Sequence, residues 1–219
     1  MKFAFPLILC AGLAQAQESI RSDARLSDDD FYSLVSCAAP VSGACQKDTV
    51  RWSPADAQDI SLGFVKIAAD YPKDLFKLAD AGLDAAIAEV NAAHANLRLT
   101  RSDKIENLNV AIYLLALKNG DAIVGTGLDP LDGAVIEAAK AQIWWRGDRS
   151  LINGAIVIAK DVDPDDMASI MLEEVTQAMG LLTDIDGYYY RTRSIFSETS
   201  NQRITLGDQD IMVLRRHYP

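Results

Sequence analysis

The sequence predicts an α+β fold: a mixed sheet with a long helix, a motif helix and a C-terminal helix. Three observations carry this. Between Asp165 and Asp184 apolar residues recur at three- and four-residue spacing, the period of one helical face. A longer stripe of the same period runs from about Pro72 to Ala95. Short apolar or alternating runs bounded by Pro, Gly, Asn and Asp lie before, between and after these stripes and read as strands. Nearly half of the 219 residues, 49%, are hydrophobic, ample for one core.

The first sixteen residues read as a secretory signal. Lys2 is a minimal charged start, an apolar run follows, and Ala14-Gln15-Ala16 supplies a small-residue cleavage site before Gln17. The run is too short to span a bilayer, and an exported, periplasmic or extracellular chain is expected. Residues 17–48 form an N-terminal arm, polar and loose as far as Asp30. Residues 49–219 form the main domain. Cys10 leaves with the leader, so Cys37 and Cys45 remain, closing a short Pro/Gly loop; in an oxidising compartment that pair is most simply a disulfide.

Along the chain, Phe31 to Val35 suits a short helical turn. Thr49 to Trp52 and Ile60 to Ile67 read as strands separated by Pro54. In the long helix that follows, Pro72 stands in the first turn and Leu75, Ala79, Leu83, Ala86, Ile87, Val90 and His94 share one stripe, which makes His94 a core-edge histidine with a hydrogen-bond partner. Leu97 to Thr100 and Asn109 to Leu117 are two further strands, the second apolar enough to be central. Gly125-Thr126-Gly127 superficially resembles a nucleotide loop, but Pro130 stands where a third glycine belongs. Asp132 to Gln142 suits a short helix, Trp144 and Trp145 a sheet or core, and Gly154 to Lys160 an edge strand. The acidic run Asp161 to Asp166 lacks the Gly and Glu of a calcium loop and is read as a helix-capping loop. The chain ends in a helix over Asp208 to Tyr218, with Asp208 and Asp210 in its first turn and Arg215, Arg216 and His217 in its last, matching the dipole.

Chemistry concentrates in the Asp165 to Asp184 stretch. Glu174 lies in the centre of its apolar stripe with Gln177 beyond it, and a carboxylate there must be paired, protonated or functional. Glu173-Glu174-x-x-Gln177-x-x-Gly180 has the frame of the zinc-protease helix H-E-x-x-H-x-x-G without either metal histidine.

With the long helix, the edge strand, the Ser194-Ile195-Phe196 turn and the terminal D-x-D-I-x-x-L helix, that frame resembles a metzincin-type metalloprotease domain. CAAPVSGACQKDTVRW, EEVTQAMGLLTD, RSIF and DQDIMVLRRHY together look like a family of bacterial exported proteins and lipoproteins known as a domain of unknown function. The resemblance implies positions position by position. Glu173 stands for the first zinc histidine and Gln177 for the second, Thr183 for the third ligand with Asp184 one residue on, Glu174 for the general base, and Phe196 for the methionine of the turn. A catalytic zinc takes three protein ligands, mostly neutral imidazoles, and a Gln amide suits it poorly. No metal and no cofactor are expected.

The formal charge of −10 disfavours nucleic acid and anionic membrane as partners. Residues 187–219 depart from it, with five arginines against Glu198, Asp208 and Asp210. Three readings follow. The favoured one is a non-catalytic pseudo-metalloprotease whose edge strand, Gly154 to Lys160, and cleft bind a peptide or protein by strand addition. The second is a divergent hydrolase with Glu174 as base and Glu173, Gln177 and Asp184 around a hard metal or water. In the third the Glu/Gln cluster only pairs with Arg191 or Arg193 to fasten the basic C-terminal segment.

Overall fold

Strand-forming runs, rich in Ile, Val and Leu, build the sheet at the centre of the molecule. The computed structural model describes residues 18–219, and the expected leader lies outside the described residues. In chain order the elements are β1 (Glu18–Arg21), α1 (Asp28–Cys37), β2 (Ile60–Ile67), α2 (Lys73–Ala92), β3 (Leu99–Arg101), β4 (Val110–Leu114), β5 (Ala139–Trp145), β6 (Leu151–Ile158), α3 (Met167–Gln177), β7 (Thr183–Asp186) and α4 (Asp208–His217). The main sheet has the order β3-β2-β4-β6-β5. Its first four strands are parallel, and β5 runs antiparallel to β6 at the edge. The fold is α+β with a mixed sheet.

Residues 155–158 of β6 are buried without alternation, because this strand is covered on both faces. That places β6 inside the sheet, between β4 and β5, and corrects the expectation of an edge strand over Gly154 to Lys160. The edge on this side of the sheet is β5. Its sequence, AKAQIWW, was expected to begin as the tail of a helix over Asp132 to Gln142; instead residues 132–138 are turns, an isolated bridge and bends, and pairing with β6 makes 139–145 a strand. Local periodicity loses here to a tertiary pairing. Trp144 and Trp145 lie in the sheet, as expected.

The long helix α2 starts after Pro72 and presents Leu75, Ala79, Leu83, Ala86 and Val90 to the core. It packs closely on α3: a Cβ placed on Gly82 would lie 3.4 Å from Met171 Cβ. His94 falls beyond the helix, exposed and with φ of 52°, so it terminates α2 instead of edging the core. His217 differs in the other direction. It is fully buried, with Nε2 3.0 Å from the Val50 carbonyl and Nδ1 3.3 Å from the Tyr32 hydroxyl, and burial pushes its pKa down to about 4. It is therefore neutral and does not complement the dipole of α4.

The expected loose arm is docked. β1 pairs in parallel with β7, continued by the Ser22 N–H to Asp186 carbonyl bond at 2.8 Å. Leu26 is buried with its N–H on the Tyr190 hydroxyl at 2.8 Å. The expected turn over Phe31 to Val35 is part of the ten-residue α1, capped by Ser27. Cys37 and Cys45 form the disulfide, with Cα atoms 5.1 Å apart. Thr49 to Trp52 makes only the isolated bridge from Arg51 to Ser150, since Trp52 turns inward.

Candidate functional site

Helix α3 follows the inner strand β6 across a short acidic loop, whose carboxylates bond backbone: Asp163 accepts from the Asp165 N–H at 3.0 Å within the loop, and Asp161 from the Asn119 N–H of a neighbouring turn at 3.0 Å. Its end is held from two sides. The Ala178 carbonyl accepts from the Trp52 indole at 3.2 Å, and the Met179 carbonyl from the Tyr218 hydroxyl at 2.6 Å, so carbonyls that a helix end leaves orphaned are satisfied. The chain then turns at Gly180, where φ is +97° and a Cβ would sit 2.0 Å from the Val50 carbonyl oxygen. Glycine is required there for both reasons. The turn sends β7 back past the end of α3 and sets Asp184 against it.

Glu173, Gln177 and Asp184 converge. The Gln177 Nε2 lies 3.0 Å from Asp184 Oδ1 and 3.4 Å from Glu173 Oε1, so one amide group bridges two carboxyls. The Asp184 carboxyl is near enough to favour the neutral form of Glu173. Desolvation, then the neighbouring charges of Asp184, Glu174 and Glu198, hold Glu173 well above the ordinary carboxylate range. Gln177 and Asp184 are buried, as is Thr183, whereas Glu173 keeps some exposure.

Glu174 is 3% exposed. Desolvation and the charge of Asp184 push its pKa up to about 8, against the opposing pull of Lys140 and of a hydrogen bond from the Ala141 backbone N–H. Its Oε2 is buried without a hydrogen-bond partner among the described residues. A neutral acid tolerates that position far better than a carboxylate would. Ala141 belongs to β5, so Glu174 fastens α3 to the sheet edge. The carbonyl of Ile143 in the same strand accepts from the Gln142 side chain at 2.9 Å.

The arginine pairing expected for this cluster does not form. Arg193 donates to the Tyr189 carbonyl at 2.8 Å and stacks over the Tyr189 ring, and Arg191 lies over Tyr188. The connector is pinned by a residue that sequence reasoning took only for a dipole partner. Asp210 is buried and accepts from the Ser194 hydroxyl at 2.6 Å, the Ile195 N–H at 3.0 Å and the Gly207 N–H at 2.7 Å. Phe196 is buried beside this staple; its carbonyl accepts from the Ile185 N–H at 2.7 Å, one residue past Asp184, and its ring meets that of Phe31. Thus the motif-equivalent residues do come together, and Lys140, Ala141 and Asp210 join them unannounced. Only Asp210 carried a signal, as the third residue of a helix behind Gly207.

A catalytic zinc does not fit this donor set. Two carboxyl acceptors orient the Gln177 amide so that its N–H groups face the space between them. Those donors would oppose a cation there. The nucleotide-loop resemblance fails similarly: the Thr126 and Gly127 N–H groups turn onto the Asp132 carboxylate at 3.0 and 2.9 Å.

A family model described as protein of unknown function (DUF2927) matches residues 78–219. No curated protein matches the chain. The matched span starts within α2 and takes in α3, β7 and α4, hence the whole cluster.

Proposed function

The chain belongs to the DUF2927 family, and on that premise we propose that it is an exported, non-catalytic binding domain, a pseudo-metalloprotease built on a metzincin-like frame. The single observation that carries this reading is the Gln177 amide bridging Glu173 and Asp184. At the positions that correspond to zinc ligands, the side chains satisfy one another. A long helix, an antiparallel edge strand, the motif helix and a buried Ser194-Ile195-Phe196 turn in succession support the frame. The Cys37–Cys45 disulfide supports export, since such bonds persist in oxidising compartments.

In this reading Glu174 is structural: burial favours its neutral form, and its carboxyl fastens α3 to β5. Strand addition along β5 is also disfavoured. An extended peptide along β5 would displace Glu174 from the Ala141 N–H and the Gln142 amide from the Ile143 carbonyl. This reading therefore looks for binding away from the β5 edge.

The test is to restore the ligands. Residues 173 and 177 lie one turn apart on α3, the arrangement with which two imidazoles grip zinc. With Asp184 already beside residue 177, Glu173→His plus Gln177→His completes a set of three. Calorimetric titration should give zinc affinity at least about a hundredfold above the unsubstituted chain. Adding Asp184→Ala should abolish most of that gain. Elemental analysis and a generic peptidase assay on the purified chain complete the experiment. One zinc per chain as isolated, or peptidase activity abolished by Glu174→Gln, would overturn the non-catalytic reading in favour of a hydrolase.

A further inference from the structure

The arginines of the C-terminal segment do not pair with the α3 cluster, and two of them meet Arg25 of the N-terminal segment instead. A cavity of about 300 Å³ opens where the connector after β7 meets the start of α4. Arg25, Arg193 and Arg203 line it, together with Tyr189, Asp208 and Gln209. Such a concentration of guanidinium groups is unexpected in a chain of net charge −10.

Two of the three are held in place by neutral groups. Arg203 is half-buried and donates from Nε to the Thr205 carbonyl at 3.1 Å and from Nη2 to the Leu206 carbonyl at 3.0 Å. Arg193 is fixed by the Tyr189 carbonyl and stacks 4.5 Å above the centre of the Tyr189 ring. Neither forms an ion pair with a carboxylate among the described residues. Arg25 makes one long contact, 3.4 Å, to the exposed Asp28. Asp210 of α4 is turned inward onto Ser194, Ile195 and Gly207 and feels Arg203 only through space, without an ion pair. Three guanidinium groups thus face one carboxylate in the wall, Asp208, with Asp28 and the inward-turned Asp210 behind it.

We propose that this cavity is a binding site for a small dianionic oxyanion, either a phosphate group or a dicarboxylate. Guanidinium forks match both, since each offers parallel N–H donors to a pair of oxygens. Their immobilisation on backbone carbonyls and on the Tyr189 ring means that less side-chain freedom is lost on binding. The cavity is of the size that takes a small molecule, not a chain segment. The site is separate from the Glu173, Gln177 and Asp184 cluster, so it stands whether or not the domain proves to be non-catalytic.

Calorimetric titration of the purified chain with inorganic phosphate and with succinate, at low ionic strength and neutral pH, tests this and separates the two sources. Saturable one-to-one binding of at least one of them is expected, weakening as salt is added. Arg203→Gln and Arg193→Gln should each lower that affinity about tenfold. Arg203 also ties down its own loop, so Arg203→Lys, which keeps the charge and loses the fork, and Arg25→Gln, on an exposed side chain, provide folded controls; each should weaken binding several-fold. Absence of saturable binding by either anion up to about 10 mM would overturn the proposal. So would binding that none of these substitutions changes, which would be an adventitious ion only.

Discussion

Glu174 and His217 are both buried titratable groups, and they act on stability in opposite directions. A carboxyl whose folded pKa lies above its unfolded value binds its proton more tightly in the folded chain. Its stabilising contribution is complete below the unfolded value of about 4.5 and is lost as pH rises through about 8. Glu174→Gln mimics the neutral acid and removes that loss. The unfolding midpoint of the variant should stay close to that of the parent at pH 5, and exceed it at pH 9 by the equivalent of about 4 kcal/mol. Thermal melts across that range check it; equal pH dependence in the two proteins would mean that Glu174 is ionised in the fold. Glu173 contributes in the same direction, so some slope persists in the variant. His217 has its pKa lowered, to about 4, so its contribution is present above the unfolded 6.5 and fades as pH falls through 4. The two limbs place the stability maximum between them.

At the scale of elements, the end of α3 decides the geometry of the cluster. The helix stops because Gly180 adopts φ of +97° against the Val50 carbonyl, and only that turn brings β7 and Asp184 back beside Gln177. Gly180→Ala is expected to destabilise the protein by about 3 kcal/mol or more, combining left-handed strain with a steric clash on backbone. Denaturant unfolding measures it, and a loss below about 1 kcal/mol would show that the turn relaxes freely. The staple at the other end of the connector works through hydrogen bonds instead. Asp210 holds three donors from Ser194, Ile195 and Gly207, and so keeps Phe196 packed on Phe31 beneath α1.

At the scale of the whole molecule, the N-terminal segment is part of the folded body. β1 supplies the partner of β7, the strand that carries Asp184, and the register sets Ser19 opposite Asp184. Deleting residues 18–21 should cost about 2 kcal/mol and speed amide hydrogen exchange across Thr183–Asp186, with little change in β4 or β6. Exchange rates measured site by site check this. Unchanged protection in β7 would show that the strand stands without its partner. The disulfide works nearby, closing the loop that follows α1.

By itself the sequence determined the α+β class, the helices α2, α3 and α4, the central place of β4, and the pairing of the last two cysteines. Those features rest on local signals: a 3.6-residue apolar period, turn residues between strands, and cysteine count. It also singled out Glu173, Glu174, Gln177, Gly180, Asp184 and Phe196 through their spacing. Only the tertiary structure decided which strand forms the edge, because AKAQIWW becomes β5 by pairing with β6 and not by its own periodicity. It likewise decided that the polar arm docks, since parallel pairing of β1 with β7 joins residues more than 150 positions apart. The same holds for the site's chemistry. Spacing along α3 sets residues 173 and 177 on one face, but whether that face meets a metal or a neighbouring amide depends on how the turn at Gly180 folds Asp184 back against it. Contacts between distant residues leave no period in the chain, so they were settled by packing alone.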